Sequence, residues 1–197
     1  MKSIVIYTVS LLLCAALLAV MPIQGEEGIY DNVVRLHILA ASDNEEDQRL
    51  KLAVRDALLE TYGEELNCQS EADAAACIRE LMPDIEKLAR KTLAEHNSSA
   101  DVTVTFADEP YPARTYGDLC FPAGTYHSLR ILIGEGEGKN WWCVLFPPLC
   151  VGAATEETVL PEVEETPPDG LTESQWRLVS QSGEYEIRFR ILEMLFG

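Results

Sequence analysis

The stretch "VVRLHILAASDNEEDQRLKLAVRDALL", from Val33 to Leu59, decides the fold because it joins a strand to an amphipathic helix. Its first seven residues alternate. Apolar side chains occupy one face, and Arg35 and His37 occupy the other, which we expect to be exposed. Ser42 and Glu45 then have the spacing of a capping box, which predicts that a helix begins there.

The next part of the chain supplies a second helix and then several strands. Ser70 and Asp73 predict a helix that runs to about Asn97, with a kink or a fresh start at Pro83. From Asp101 the period changes to two, which predicts an antiparallel meander with hairpin connections. We therefore expect an α+β fold, with a mainly antiparallel sheet and two or three helices packed on one face.

The run "GEGEGKN", Gly134 to Asn140, has the glycines of a phosphate-binding loop but not its setting. A phosphate loop lies between a strand and a helix, so that backbone N–H groups and the helix dipole meet the anion. Here the run lies between two predicted strands, and Glu135 and Glu137 would repel phosphate. We interpret it as a hairpin loop, which argues against a nucleotide site.

Composition divides the chain into four parts. Residues 1–25 form a leader, residues 29–150 a single α+β core domain, and residues 151–170 an acidic linker that contains prolines. Residues 171–197 begin as a short helix and continue as the alternating segment "EYEIRFRIL". We expect this last segment to return to the core as a strand.

The leader consists of Lys2 and an uncharged apolar run from Ser3 to Pro22. A short positive end before such a run predicts a secretory signal peptide or an N-terminal anchor. Both remain open because small residues suited to cleavage are poorly placed, and Cys14 adds a weaker lipoprotein alternative. In each case we expect the rest of the chain to be exported, so that contact with a membrane is made only by an uncleaved leader.

The charge of the chain excludes some classes of partner. It carries 33 acidic and 15 basic residues, for a formal net charge of −18. Binding to nucleic acid or to anionic lipid needs clustered positive charge, so neither is expected. The charge is typical of a self-repelling soluble surface, and an acidic patch for a basic partner is the alternative.

Five cysteines follow the leader, and none belongs to a C-x-x-C pair, so a zinc site is not expected. In an exported chain, Cys143 with Cys150 and Cys68 with Cys77 are local candidates for disulfides, which leaves one thiol over. Five reduced cysteines are the alternative, because spacing alone does not fix connectivity.

The sequence shows no set of residues that assembles an acid, a base and a nucleophile. His37 could act as a base if Asp43 or Asp56 oriented it, but a hydrogen-bonded structural histidine is the stronger interpretation. Neither G-x-S-x-G nor H-E-x-x-H occurs. We therefore predict no catalytic residue, no metal and no cofactor.

Trp141 and Trp142 are adjacent in a predicted strand, so they point to opposite faces of the sheet. One of them then lies away from the helix-covered face. It either packs under the C-terminal segment or joins a contact patch with the "FPPL" corner, Phe146 to Leu149.

Two segments together resemble one known family. Val33 to Leu59 resembles the opening of stage II sporulation protein R, and "YPARTYGDLCFPAGTYHSLRILIGEGEGKNWWCVLFPPLC", Tyr111 to Cys150, is similar to the second block of that family. The two segments make up about a third of the chain and follow the order of the family, behind an export leader.

The resemblance implies a signalling protein of endospore-forming bacteria. Such proteins are made in the forespore and exported into the space between the forespore and mother-cell membranes. There they activate a membrane-embedded aspartic protease of the mother cell, which removes the pro-segment of the sporulation sigma factor pro-sigma-E.

We expect a protein ligand of this kind to use one surface for its receptor. The candidate contact residues are Arg35, His37, Trp141, Trp142, Phe146, Pro147, Pro148 and Leu149. The competing hypothesis is an extracytoplasmic cell-wall or peptide hydrolase that uses His37 with a nearby carboxylate.

Overall fold

The computed structural model describes residues 6–14, 27–117, 119–150 and 166–180. Residues 6–14 form helix α1, whose large apolar side chains are exposed. Among the described residues, none of the helices has both the length and the apolar character of a membrane span. The other elements are α2 (Glu27–Asp31), β1 (Val34–Leu39), α3 (Glu45–Tyr62), α4 (Glu71–Glu95), β2 (Val102–Tyr111), β3 (Arg114–Tyr116), β4 (Leu119–Phe121), β5 (Gly124–Ile133), β6 (Asn140–Phe146) and α5 (Glu173–Ser180).

The predicted α+β class is confirmed, and the sheet is mixed rather than purely antiparallel. Its four strands lie in the order β2-β5-β1-β6, and β3 pairs with β4 in a separate two-stranded sheet. Strand β1 is parallel to β5 and antiparallel to β6, while β2 is antiparallel to β5.

The predicted hairpin between β5 and β6 is wrong, because β1 lies between these two strands. Their connection, residues 134–139, crosses the carboxyl end of β1. There the backbone N–H groups of Glu137 and Gly138 donate to the carbonyl oxygens of Ala41 and Ala40. Glycine is needed at Gly138 because a Cβ atom would collide with the backbone carbonyl oxygen of Ser42.

Helices α3 and α4 cover one face of the sheet and enclose the larger core. Apolar residues of both helices pack there against residues such as Leu36 and Ile131. The predicted cap of α3 is wrong by two residues: Asn44, rather than Ser42, accepts the hydrogen bond from the Asp47 N–H, at 2.7 Å. The extended backbone of Asn44 places its short side chain over the first turn.

Helix α4 begins at the predicted cap. The Asp73 N–H donates to the Ser70 hydroxyl at 3.2 Å. The helix continues through Pro83 without a fresh start and ends at Glu95.

The second face of the sheet is also covered, which corrects the expectation that Arg35 and His37 are exposed. A smaller apolar cluster contains residues of α2, of the β3–β4 hairpin and of α5. Under this layer Arg35 is fully buried and His37 is 6% exposed. The linker residues 151–165 and the predicted strand "EYEIRFRIL" lie outside the described residues.

Candidate functional site

The second face of the sheet carries Arg35 and His37, the two polar side chains of β1 that the sequence analysis selected. His37 on β1 donates from Nδ1 to Glu109 Oε1 at 2.8 Å, and its Nε2 lies 3.0 Å from Asn140 Oδ1. The expectation that Asp43 or Asp56 orients His37 is wrong. Asp43 accepts from the Lys139 N–H, and Asp56 pairs with its neighbour Arg55.

Glu109 is the centre of this network. The Ser128 hydroxyl donates to Glu109 Oε2 at 2.9 Å, and the Tyr111 hydroxyl lies 2.7 Å from the Ser128 oxygen. Burial by itself would raise the pKa of Glu109, but the hydrogen bonds from His37 and Ser128 and the charge of Arg130 outweigh it and hold the pKa below its usual value. Glu109 is therefore anionic at neutral pH.

The neighbouring phenols are neutral at the same pH. Burial raises the pKa of Tyr111 far above its usual value, and it also raises the pKa of Tyr116. Within this group the negative charge therefore lies on Glu109 alone.

The geometry of this network does not match an acyl-transfer site. In a serine–histidine–carboxylate triad the serine hydroxyl bonds to the histidine, and the histidine in turn bonds to the carboxylate. Here Ser128 and His37 each bond to Glu109, and both are buried. The arrangement ties β1, β2 and β5 together across the sheet, so we interpret it as structural.

Arg35 lies beside this network inside a cage of aromatic rings. Its Cζ atom is 4.6 Å from the ring centre of Tyr111 and 5.1 Å from that of Tyr126, with Tyr116 and Phe121 slightly farther away. Its Nη2 donates to the Tyr116 hydroxyl at 2.7 Å, while Nε and Nη1 have no hydrogen-bond partner. The aromatic faces hold the cation, which a partner cannot reach in this arrangement.

The two tryptophans lie on opposite sides of the sheet and are both half-buried. The Arg55 guanidinium lies 5.2 Å from the Trp141 ring, on the side of α3. On the other side, the Arg114 guanidinium stacks 3.9 Å from the Trp142 ring. The tryptophans therefore do not form one patch.

The four residues of the "FPPL" corner differ in how deeply they are buried. Phe146 and Pro147 are buried, whereas Pro148 and Leu149 are half-buried. Pro148 lines a groove of about 630 Å³. The other lining residues lie on α3 and on the residues that follow it: Asp56, Leu59, Glu60, Gly63, Glu64 and Asn67.

Sequence reasoning missed Glu109, which lies past the alternating residues "DVTVTFA", Asp101 to Ala107. The strand continues through Pro110 to Tyr111. Proline is tolerated because β2 is an edge strand of the sheet. Past Ala107 the alternation of apolar and polar residues stops, because Asp108 and Glu109 are adjacent acids. No local signal therefore marked the continuation of the strand, which places Glu109 and Tyr111 on the same face.

Cysteines Cys143 and Cys150, a predicted candidate pair, are joined by a disulfide with an S–S distance of 2.11 Å. Cys68, Cys77 and Cys120 are free thiols. No group of histidine, cysteine or acidic side chains in the described ranges is arranged to hold a metal ion.

Comparison with known proteins finds one family model that matches most of the described core. Residues 30–156 match the model described as stage II sporulation protein R (spore_II_R). The chain is 39% identical over 125 residues to Stage II sporulation protein R of Bacillus subtilis (strain 168), a match that covers 62% of this chain and 55% of the relative. The match therefore spans about half the length of that relative, and no solved structure matches the chain.

Proposed function

Because the chain belongs to the stage II sporulation protein R family, we propose that it is an exported signal that activates a membrane-embedded aspartic protease of the mother cell. The protease then processes pro-sigma-E. In this proposal the chain is a protein ligand of the intermembrane space. It acts by binding the active state of its receptor more tightly than the inactive state.

The extent of the family match is the observation that carries the proposal. Residues 30–156 contain β1 to β6, α3, α4 and the Cys143–Cys150 disulfide. The match therefore covers both sheets and the two helices of the larger core rather than a short motif, while α5 lies outside it.

Two features support export. The apolar side chains of α1 are exposed and follow a basic residue, Lys2, as in a secretory leader or anchor. The disulfide between Cys143 and Cys150 is typical of an oxidising compartment.

The contact surface has to be drawn from side chains that a partner can reach. Among the predicted contact residues these are Trp141, Trp142, Pro148 and Leu149, since the other four are buried. Trp142 is the best anchor, because its ring carries a stacked cation, Arg114, and tryptophan and arginine are enriched at binding hot spots. In this proposal Arg35 and His37 support the surface from beneath.

The proposal is tested by exporting residues 26–197 from a non-sporulating host that makes the receptor protease and pro-sigma-E, and by immunoblotting for sigma cleavage. We expect cleavage that depends on the exported domain. Absence of cleavage, with the domain shown to be folded and exported, would contradict the proposal that the soluble domain is a sufficient signal. The same assay on the uncleaved full chain then tests whether the leader is required.

The contact surface is tested in the same host with Trp142→Ala. The matched control is Trp141→Ala, which removes the same side chain from the opposite side of the sheet. We expect Trp142→Ala to reduce cleavage more strongly, with both variants folded by circular dichroism. Equal effects would show that Trp142 is not the anchor.

A hydrolase is the second candidate, and the hydrogen bond between His37 and Glu109 is the observation that favours it. A purified domain would be incubated with cell-wall fragments and with peptide substrates. Hydrolysis by the wild type that is lost in a folded His37→Ala variant would support the hydrolase. Full signalling by that variant would exclude a catalytic His37 from the signalling activity.

A further inference from the structure

The connection between α3 and α4 brings two free thiols together. Cys68 lies in this connection, and Cys77 lies in the second turn of α4. Their Sγ atoms lie 3.6 and 3.5 Å from the same acceptor, the carbonyl oxygen of Glu65. The two thiols are also close enough for each to affect the pKa of the other.

We propose that Cys68 and Cys77 are oxidised to a second disulfide. The oxidant is a disulfide compound, either glutathione disulfide or the oxidised dithiol of a thiol–disulfide oxidoreductase. One thiolate attacks a sulfur of the oxidant and releases one thiolate from it, which gives a mixed disulfide. The second thiolate then attacks the first cysteine and releases the other half of the oxidant, so that two protons leave the protein and two electrons reduce the oxidant.

Cys68 and Cys77 are more accessible to an oxidant than Cys120, the remaining free thiol of the core domain. Cys68 and Cys77 are half-buried, whereas Cys120 on β4 is buried. An oxidant can therefore reach the pair without unfolding of the second face of the sheet. Cys120 has no such access.

The environment also sets the rate of the reaction. Burial raises the pKa of both thiols, and the neighbouring acidic side chains raise it further. Because the thiolate is the attacking form, cross-linking is slow at neutral pH and accelerates as the pH rises.

The cross-link would fix one wall of the groove beside Pro148. The residues between α3 and Cys68 include Gly63, Glu64 and Asn67, which line this groove. A bond from Cys68 to Cys77 fastens this connection to α4. The cross-link is a feature of covalent structure and forms whether or not the chain is a signal.

The test uses peptide mapping of the full chain in mild detergent, equilibrated in a glutathione redox buffer, alkylated without reduction and digested with trypsin. Cys68 and Cys77 fall in one tryptic peptide, residues 56–79. We expect this peptide to carry no alkyl group and to be lighter by two hydrogens than its reduced form.

The same digest contains both controls. The peptide of residues 140–177 holds Cys143 and Cys150 and reports whether the preparation was oxidised. The peptide of residues 115–130 holds Cys120 and is expected to be alkylated. Two alkyl groups on peptide 56–79, in a sample whose peptide 140–177 is cross-linked, would overturn the proposal.

Thermal melting gives a second measurement. In the oxidising buffer, Cys68→Ala, Cys77→Ala and the double variant are expected to melt at the same temperature, about 5–10 °C below the oxidised wild type, because each removes one and the same cross-link. Losses that add in the double variant would show two independent packing effects and contradict a shared bond.

Discussion

Glu109→Gln is the sharpest test of the buried network, because it removes one charge and keeps the shape of the side chain. Glu109 accepts hydrogen bonds from His37 and Ser128, and its side chain is 21% exposed. A hydrogen bond to a charged group contributes about 1 kcal/mol more than a neutral one, so two bonds predict a loss of about 2 kcal/mol from the free energy of unfolding. For a chain of this size, that lowers the melting temperature by about 4–8 °C.

The pH dependence of this loss follows from the lowered pKa of Glu109. A carboxyl group whose pKa is lower in the folded state stabilises the protein above its unfolded pKa, near 4.5, and loses that contribution as the pH falls through the folded value. The difference between the wild type and Glu109→Gln should therefore be complete at neutral pH, begin to shrink below about 4.5 and vanish below the folded pKa.

Urea unfolding followed by tryptophan fluorescence, at pH 7 and at successively lower pH, measures both quantities. The matched control is Glu135→Gln, which removes the same charge from an exposed position of the loop between β5 and β6. We expect this control to change stability by less than about 0.5 kcal/mol. A Glu109→Gln loss that is equally small at neutral pH, or one that does not change with pH, would refute the charged network.

Three further predictions concern the frame of the site, and all are measured by urea unfolding. Gly138→Ala should cost about 1–3 kcal/mol, because the new Cβ meets the Ser42 carbonyl oxygen where the loop crosses β1; an unchanged unfolding midpoint would contradict this crossing. Asn44→Ala should cost about 1 kcal/mol through loss of the α3 cap, and Asn44→Asp should retain it; equal losses would show that the side chain does not cap. Arg35→Met should be at least about 2 kcal/mol more stable than Arg35→Ala. Methionine fills the aromatic cage, whereas alanine leaves a cavity, and neither carries the buried charge that in the wild type makes only one hydrogen bond. Equal stabilities of the two variants would show that filling the cage contributes nothing and that the cation itself stabilises it.

Local signals predicted the elements well and their arrangement poorly. Alternation around Leu36 identified β1, and Ser70 marked the start of α4, because both signals depend on residues close in sequence. The insertion of β1 between β5 and β6 depends on pairing over more than 80 residues. No local pattern specifies such pairing, and a glycine-rich loop suits a crossing connection as well as a hairpin.

The predicted exposure of Arg35 and His37 was wrong for a related reason. A polar residue on the far face of a strand predicts exposure only when nothing covers that face. Arg35 is covered by the β3–β4 hairpin and its aromatic residues, which lie about 80 residues later in the chain. The aromatic side chains that surround Arg35 are recognisable in the sequence, but their convergence on one guanidinium is a property of the folded structure.

The burial of Arg35 and His37 changes how mutational data on this family member should be interpreted. A variant at either position that abolishes signalling does not by itself locate the proposed contact surface, because both side chains lie inside the fold and join elements that must pack together. Loss of signalling together with loss of stability would identify a folding effect, and Glu109→Gln provides the reference for its size. Loss of signalling at unchanged stability is expected only at accessible residues such as Trp142 or Leu149, so the contact surface should be mapped by measuring both quantities for each variant.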